Sequence, residues 1–261
     1  MPDLLSRDDP SRDEESLSRR ERERLRRRRA MLRAAQAVFA EKGYAQATLG
    51  EIAERAEFGK GTLYNYFEGG KEDLLFAVFD EVYDGIFGLV ERFMADAEER
   101  PLREAFEAFV REAFDFFLER KSLFMMIVKE SHQFIFGENQ ERAAYFHAQE
   151  NRLVQAMLPT LRRAAEAGEI RPMPARPLAH LMIENTKGLI MARAMMNHAE
   201  GAAPAPEADS CQEDLILYHP GRAADMLATL FFDGLAPGAT APSETSSAPA
   251  PRPKAPRRAP D

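Results

Sequence analysis

The sequence predicts an all-α protein, with a small three-helix N-terminal module joined to a larger helical body. Three observations predict it. Apolar residues recur at three- and four-residue spacing over 71–97 (Leu74, Leu75, Val78, Val82, Ile86, Leu89, Val90, Phe93) and over 102–118 (Leu102, Phe106, Phe109, Val110, Ala113, Phe114, Phe117), each a single helical face. No stretch alternates apolar and polar residues as a half-buried strand does. Residues 48–67 hold two short apolar-faced segments around a tight turn.

In chain order, residues 1–17 are polar and aperiodic and are expected to be disordered. The arm Arg19-Arg20-Glu21-Arg22-Glu23-Arg24-Leu25-Arg26-Arg27-Arg28-Arg29 precedes a helical stretch over 34–44. Thr48 can N-cap the next helix, with Glu51 completing a capping box. Leu49, Ile52, Ala53 and Ala56 form its inward face, and the small Ala53 and Ala56 let a second helix cross closely. The turn falls at Glu57-Phe58-Gly59. The following helix begins near Lys60, buries Leu63 and Phe67, and presents Lys60, Thr62, Tyr64 and Asn65 on its other side. After 71–97 and 102–118, helices are expected at 122–136, 139–167, 177–198 and 221–235. Gly168 is a C′ residue, and Pro172, Pro174 and Pro177 prevent continuation. Residues 199–220 read as a loop. Residues 236–261, which hold seven of the 17 prolines, read as a disordered tail. The domains are therefore 1–17, 18–75, 76–235 and 236–261.

The chain has 261 residues and a net charge of −8, but residues 16–75 carry +4 and residues 76–235 carry −10, a basic module on an acidic body. One cysteine, Cys211, excludes an intrachain disulfide and a Cys-only zinc site. No apolar run approaches the roughly 18 residues of a membrane span, and the charged N-terminus lacks a signal-peptide core, so a cytoplasmic protein is expected. The five histidines show no metal-ligand spacing. There is neither a Gly-x-Ser-x-Gly elbow nor a phosphate-cradling Gly loop, so no enzyme, metal or cofactor is expected.

The outward strip on a helix that short is more than its stability requires. A helix-turn-helix reader uses such a strip in the DNA major groove. Residues Ala34–Tyr44, Thr48, Ile52-Ala53, Ala56, Lys60-Gly61-Thr62-Leu63-Tyr64-Asn65-Tyr66-Phe67 and Lys71-Glu72-Asp73-Leu74-Leu75 together resemble the TetR family of transcriptional repressors, over roughly 25–80. The resemblance implies a helix-turn-helix DNA-binding domain followed by a helical ligand-binding and dimerisation domain. It implies a repressor that binds a palindromic operator as a homodimer and leaves it when a small lipophilic effector binds. A TetR-like activator, or a partner-binding helical protein without DNA function, is the alternative. Three departures stand out: Glu57 where the family usually has a small residue, often Gly; Gly59 for a common Ser; and a Glu68-Gly69-Gly70 link one residue longer than usual.

The resemblance also implies a division of labour. Thr48 and Tyr64 donate hydroxyls to phosphates, and Lys71 contacts phosphate through its ammonium and nearby backbone N–H groups. Lys60, Thr62 and Asn65 read bases, Gly61 lets the helix approach the groove wall, and Tyr66 either packs in the core or touches DNA. The arginine arm, with Arg26 and Arg27, is either a solvated helical extension or a DNA-tracking arm entering the minor groove.

In the body, fifteen of the 18 Phe and 10 of the 12 Met fall in residues 76–235. Any one of them suits an ordinary core. The cluster containing Phe114, Phe117, Met125, Phe134, Tyr145 and Phe146 suits an adaptable apolar effector pocket, with His132, Gln133 and His147 as polar contacts. The resemblance implies a dimer interface through the last two helices, with Leu181, Gly188, Leu189, Met195, Leu227, Leu230 and Phe231; otherwise these helices complete the monomer's own core.

Overall fold

The computed structural model describes residues 18–199 and 219–234; both expected tails, most of the 199–220 loop and Cys211 lie outside the described residues. The described elements are α1 (Arg19–Gln46), α2 (Leu49–Arg55), α3 (Lys60–Tyr64), α4 (Lys71–Glu99), α5 (Leu102–Leu118), α6 (Lys121–Ile135), α7 (Gln140–Glu166), α8 (Ala175–Ala199) and α9 (Pro220–Ala228), with a π-helical turn at Thr229–Asp233. No strand occurs among the described residues. Nor is any helix there long and apolar enough to cross a membrane.

Local signals set most boundaries. Thr48 caps α2 with the expected reciprocal box: its hydroxyl oxygen accepts from the Glu51 N–H at 3.3 Å, and the Glu51 carboxylate accepts from the Thr48 N–H at 3.1 Å. Ser18 caps α1 in the same way with Glu21. As a result the arginine arm and the helix after it form one helix, broken only near its end at Gly43 (φ 76°). Gly168 (φ 77°) stops α7 as expected, with the Glu169 N–H donating to the Ala164 carbonyl and the Gly168 N–H to that of Ala165.

Two cores result. The head core joins Met31, Leu32, Phe39, Ile52, Leu63 and Phe67 to the first turns of α4, and also takes in Leu123, Met126 and Ile127 of α6. The body core is built from the far half of α4 with α5, α7, α8 and α9. All seven apolar residues named over 102–118 are buried. In α4, Val82 and Ile86 are only half-buried although they share the stripe of Val78 and Leu89. They border a cavity instead of a neighbouring helix. α4 therefore runs from the head core into the body core, and α6 packs on α1.

Candidate nucleic-acid interface and effector cavity

α3 turns Leu63 and Phe67 into the head core and leaves Lys60, Gly61, Tyr64 and Asn65 exposed, with Thr62 half-buried. A Cβ at Gly61 would meet nothing within 4 Å, so this position faces open space. The turn before α3 explains one departure from the family pattern. Glu57 has φ 61°, the left-handed region that a side chain disfavours and glycine tolerates. Glu57→Gly should therefore stabilise the protein by about 1 kcal/mol, read as a higher denaturant midpoint at unchanged slope. A drop in the midpoint would mean that the glutamate side chain contributes more than its backbone costs.

Two of the expected phosphate donors have other partners. The Thr48 hydroxyl lies 3.0 Å from the Glu51 carboxylate, which accepts its proton. The half-buried Lys71 side chain has its ammonium engaged by backbone carbonyls, which corrects the expected ammonium–phosphate contact. It donates to the carbonyls of Tyr44 (2.9 Å), Ala45 (3.3 Å) and Ala47 (3.0 Å) and lies 4.5 Å from the Tyr44 ring centroid. Gly70 (φ 71°) opens α4 just before it. Lys71 thus satisfies carbonyls that the end of α1 leaves without helical donors, and what it can still offer phosphate is its backbone N–H at the start of α4. Lys71→Met should cost about 1.5–3 kcal/mol, the range for hydrogen bonds to charged groups. Chemical denaturation checks this, and an unchanged midpoint would show that water replaces the ammonium without loss.

The arm is a helix, and an α-helix of about 10–12 Å diameter does not enter a minor groove about 6 Å wide; that reading is corrected. Adjacent residues on a helix stand about 100° apart, so Arg26 and Arg27 face different ways. Arg27 donates to Glu23 at 2.9 Å, and together with the more distant Arg26 it holds the Glu23 carboxyl below the usual carboxylate range. Arg26 is exposed on the outer side. Tyr66 is half-buried with the Arg24 guanidinium 5.9 Å from its ring centroid, and Arg28 lies 5.6 Å from that of Phe67.

A cavity of 320 Å³ lies between α4, α5, α6, α7 and α8. Leu89, Val90, Phe109, Phe117, Phe124 and Ile190 line its apolar part. Ser131, His132, His147, Glu150, Thr186 and Lys187 supply polar groups, and His132, His147 and Lys187 are exposed and so mark its mouth. The Tyr83 phenol also lines it; burial pushes its pKa up to about 12, with Glu150 and Glu184 adding to the shift, so it is a neutral donor.

Of the expected effector residues, Phe117, Phe146, His132 and His147 line this space and the others do not. Phe114 is wholly buried in the body core. Phe134 and Tyr145 pack on Phe76 with ring centroids 5.4 and 5.2 Å away, and the Tyr145 hydroxyl donates to Asp80 at 2.7 Å. Burial, then Asp80, raise the pKa of that phenol. Met125 is half-buried outside the cavity, and Gln133 is exposed and likewise does not line it. Most of the residues missed lie on α4 and α8, whose apolar stripes read as core and as dimer contacts.

The helices expected to form the dimer interface divide between two roles. Leu181, Met195 and Met226 are exposed at 55%, 58% and 38%, and a Cβ at Gly188 would meet nothing within 4 Å. Leu227, in contrast, is 2% exposed and belongs to the monomer core. Phe231 packs edge-on against Phe106 at 5.6 Å, and Leu189 and Leu230 are half-buried against the same core. The reason is that α9 meets α5 through Ala223, Ala224, Leu227 and Ala228, where small residues allow a close approach.

Cavity and head are joined by two routes. Besides α4, α6 turns Phe124, Val128 and His132 to the cavity and Leu123 and Met126 to the head core. Arg142 at the start of α7 pairs with Glu72 in the first turn of α4, and its guanidinium lies 5.3 Å from the Phe134 ring centroid.

Comparison with known proteins agrees with this architecture. Residues 31–78 match the family described as bacterial regulatory proteins, tetR family. A fatty acid metabolism regulator protein of Bacillus subtilis (strain 168) is 40% identical over 70 residues, 27% of this chain and 34% of the relative, so the match spans about a third of that protein's length. Two solved structures share the fold. The transcriptional regulator FadR of Bacillus subtilis, in complex with stearoyl-CoA, superposes with a TM-score of 0.59 at 19% identity, covering 79% of this chain and 98% of that one. The fatty acid degradation regulator FadR of Bacillus halodurans gives 0.57 at 19% identity, with the same two coverages of 79% and 98%. Residues 31–78 thus carry the helix-turn-helix of the tetR family of bacterial regulatory proteins, and the helical body built onto it has the fold of these two regulators.

Proposed function

We propose that the protein is a ligand-responsive transcriptional repressor. It binds a roughly palindromic operator as a homodimer and is released when a small lipophilic effector enters the cavity. The observation that carries this reading is the outward strip of Lys60, Gly61, Thr62, Tyr64 and Asn65 on α3, on a head whose core shares α4 and α6 with an apolar cavity. Lys60, Thr62 and Asn65 read bases, and Tyr64 and the N-terminal backbone of α4 position the head on phosphates. Thr48 contributes by capping α2, and its oxygen remains able to accept but not to donate. Pairing of Leu181, Gly188 and Met195 across a two-fold axis sets two α3 helices a turn or more of DNA apart.

The effector acts by population shift. A molecule filling the cavity moves α4 and α6 only insofar as it binds the DNA-incompetent state more tightly. The stearoyl-CoA bound by the Bacillus subtilis FadR supports a long-chain acyl compound as the effector class. The role is regulatory and not enzymatic, and it places the protein in the cytoplasm, where its DNA lies. Selection of bound sequences from random duplexes by the purified full chain tests the reading. A palindromic consensus that stearoyl-CoA releases is expected, and the absence of selectivity over random duplex would overturn it.

A further inference from the structure

We infer that the N-terminal extension of α1 and the end of the reading helix together form a second DNA contact on each head, a groove that holds the phosphate backbone flanking the bases read by α3. This deepens the DNA-binding reading and rests on it. α1 begins at Arg19, well ahead of residue 31 where the family match starts. The additional turns do not project freely, because Arg24 lies over Tyr66 and Arg28 over Phe67, so the arm is seated on the segment that follows α3.

Between them runs an open groove lined by Arg19, Arg20, Arg24 and Arg27 on one wall and Asn65 and Tyr66 on the other, with Glu21 and Glu23 along the arm. Both carboxylates are already engaged, Glu21 with the Ser18 cap and Glu23 with Arg27, and both are held below the usual carboxylate range by those partners. The groove therefore presents guanidinium charge beside a residue of the reading strip. A helix lying in a major groove about 12 Å wide has phosphates along both its sides. The surface continuous with the Asn65 end of α3 meets one of those strands, and guanidinium groups match phosphate oxygens with paired donors.

The test is the salt dependence of binding by the full chain, measured on both the selected operator and a random duplex. Arg19→Gln, Arg20→Gln and Arg24→Gln are combined in one variant; Arg22→Gln, Arg26→Gln and Arg29→Gln, none of which lines the groove, form the charge-matched control. Each lost phosphate contact lowers the slope of log K against log salt by about 0.9. The groove variant is thus expected to lose about two to three units of slope, with affinity at about 0.1 M salt falling roughly 100-fold. Protection of phosphates outside the α3-read bases should vanish. The control should change the slope by less than about one unit, and Arg→Lys at the three groove positions should restore most of it. Equal losses in both variants would reduce the effect to overall charge and overturn the groove. An unchanged slope with intact selectivity would overturn the groove alone. Loss of selectivity in the wild-type chain is the separate failure of the repressor reading, and the random-duplex slope still reports on the groove.

Discussion

Leu181→Glu combined with Met195→Glu is expected to convert the protein to a monomer and to lower operator affinity by about 10²- to 10⁴-fold, the range by which joining two binding modules strengthens binding. The two residues lie fourteen apart on α8, with Gly188 midway, and seven residues are about two helical turns, so all three share a side. The buried residues of the same helix, among them Leu178, Met182, Ile190 and Ala194, belong to the opposite side. Burying a large apolar side chain at an interface is worth about 1.5–3 kcal/mol. A carboxylate in its place must be desolvated without a partner, and its two-fold copy repels it. Both residues are more than half exposed in the monomer, at 55% and 58%, so folding should be untouched. Analytical ultracentrifugation at micromolar concentration, with helicity as the folding control, decides the matter. A variant that remains dimeric would move the interface away from α8.

The second large effect concerns the cavity. Ala113→Phe should leave operator affinity within about twofold of wild type while weakening release by the proposed long-chain acyl effector at least about 100-fold, a loss of roughly 2.8 kcal/mol in effector binding. Ala113 is 3% exposed on α5 and lines the 320 Å³ space. A benzyl group there projects into existing void, so the usual cost of overpacking, about 1–3 kcal/mol, is largely avoided, and the melting temperature should hold or rise. Met125→Ala, outside the cavity, is the companion variant and should retain the response. Full release of the Ala113→Phe variant would place the effector somewhere other than this cavity.

The parts legible in the sequence were those whose causes are local. The Thr48–Glu51 box, the stop at Gly168 and the buried face of α5 each depend on residues within five positions of their neighbours in the motif, and the structure has them as read. Side-chain direction across elements was another matter. Lys71 reads as a phosphate ligand by its place at the head of α4. Its ammonium instead satisfies carbonyls some two dozen residues upstream, a contact that exists only because α1 ends beside it. Phe114 and Phe117 share one apolar face, yet only Phe117 reaches the cavity. A period of 3.6 residues tells which side of a helix turns inward, not whether the space there is filled.

By itself the sequence determined the all-helical class, the helix-turn-helix with its outward strip, and the separation of a basic head from an acidic body, because periodicity, capping and charge are written along the chain. Only the tertiary structure decided that Leu227 and Phe231 complete the monomer while Leu181 and Met195 remain exposed, that α4 and α8 wall the cavity, and that the arginine arm is one helix seated against the segment after α3. Each of these depends on which surface a residue meets, and that is set by contacts between segments far apart in the chain.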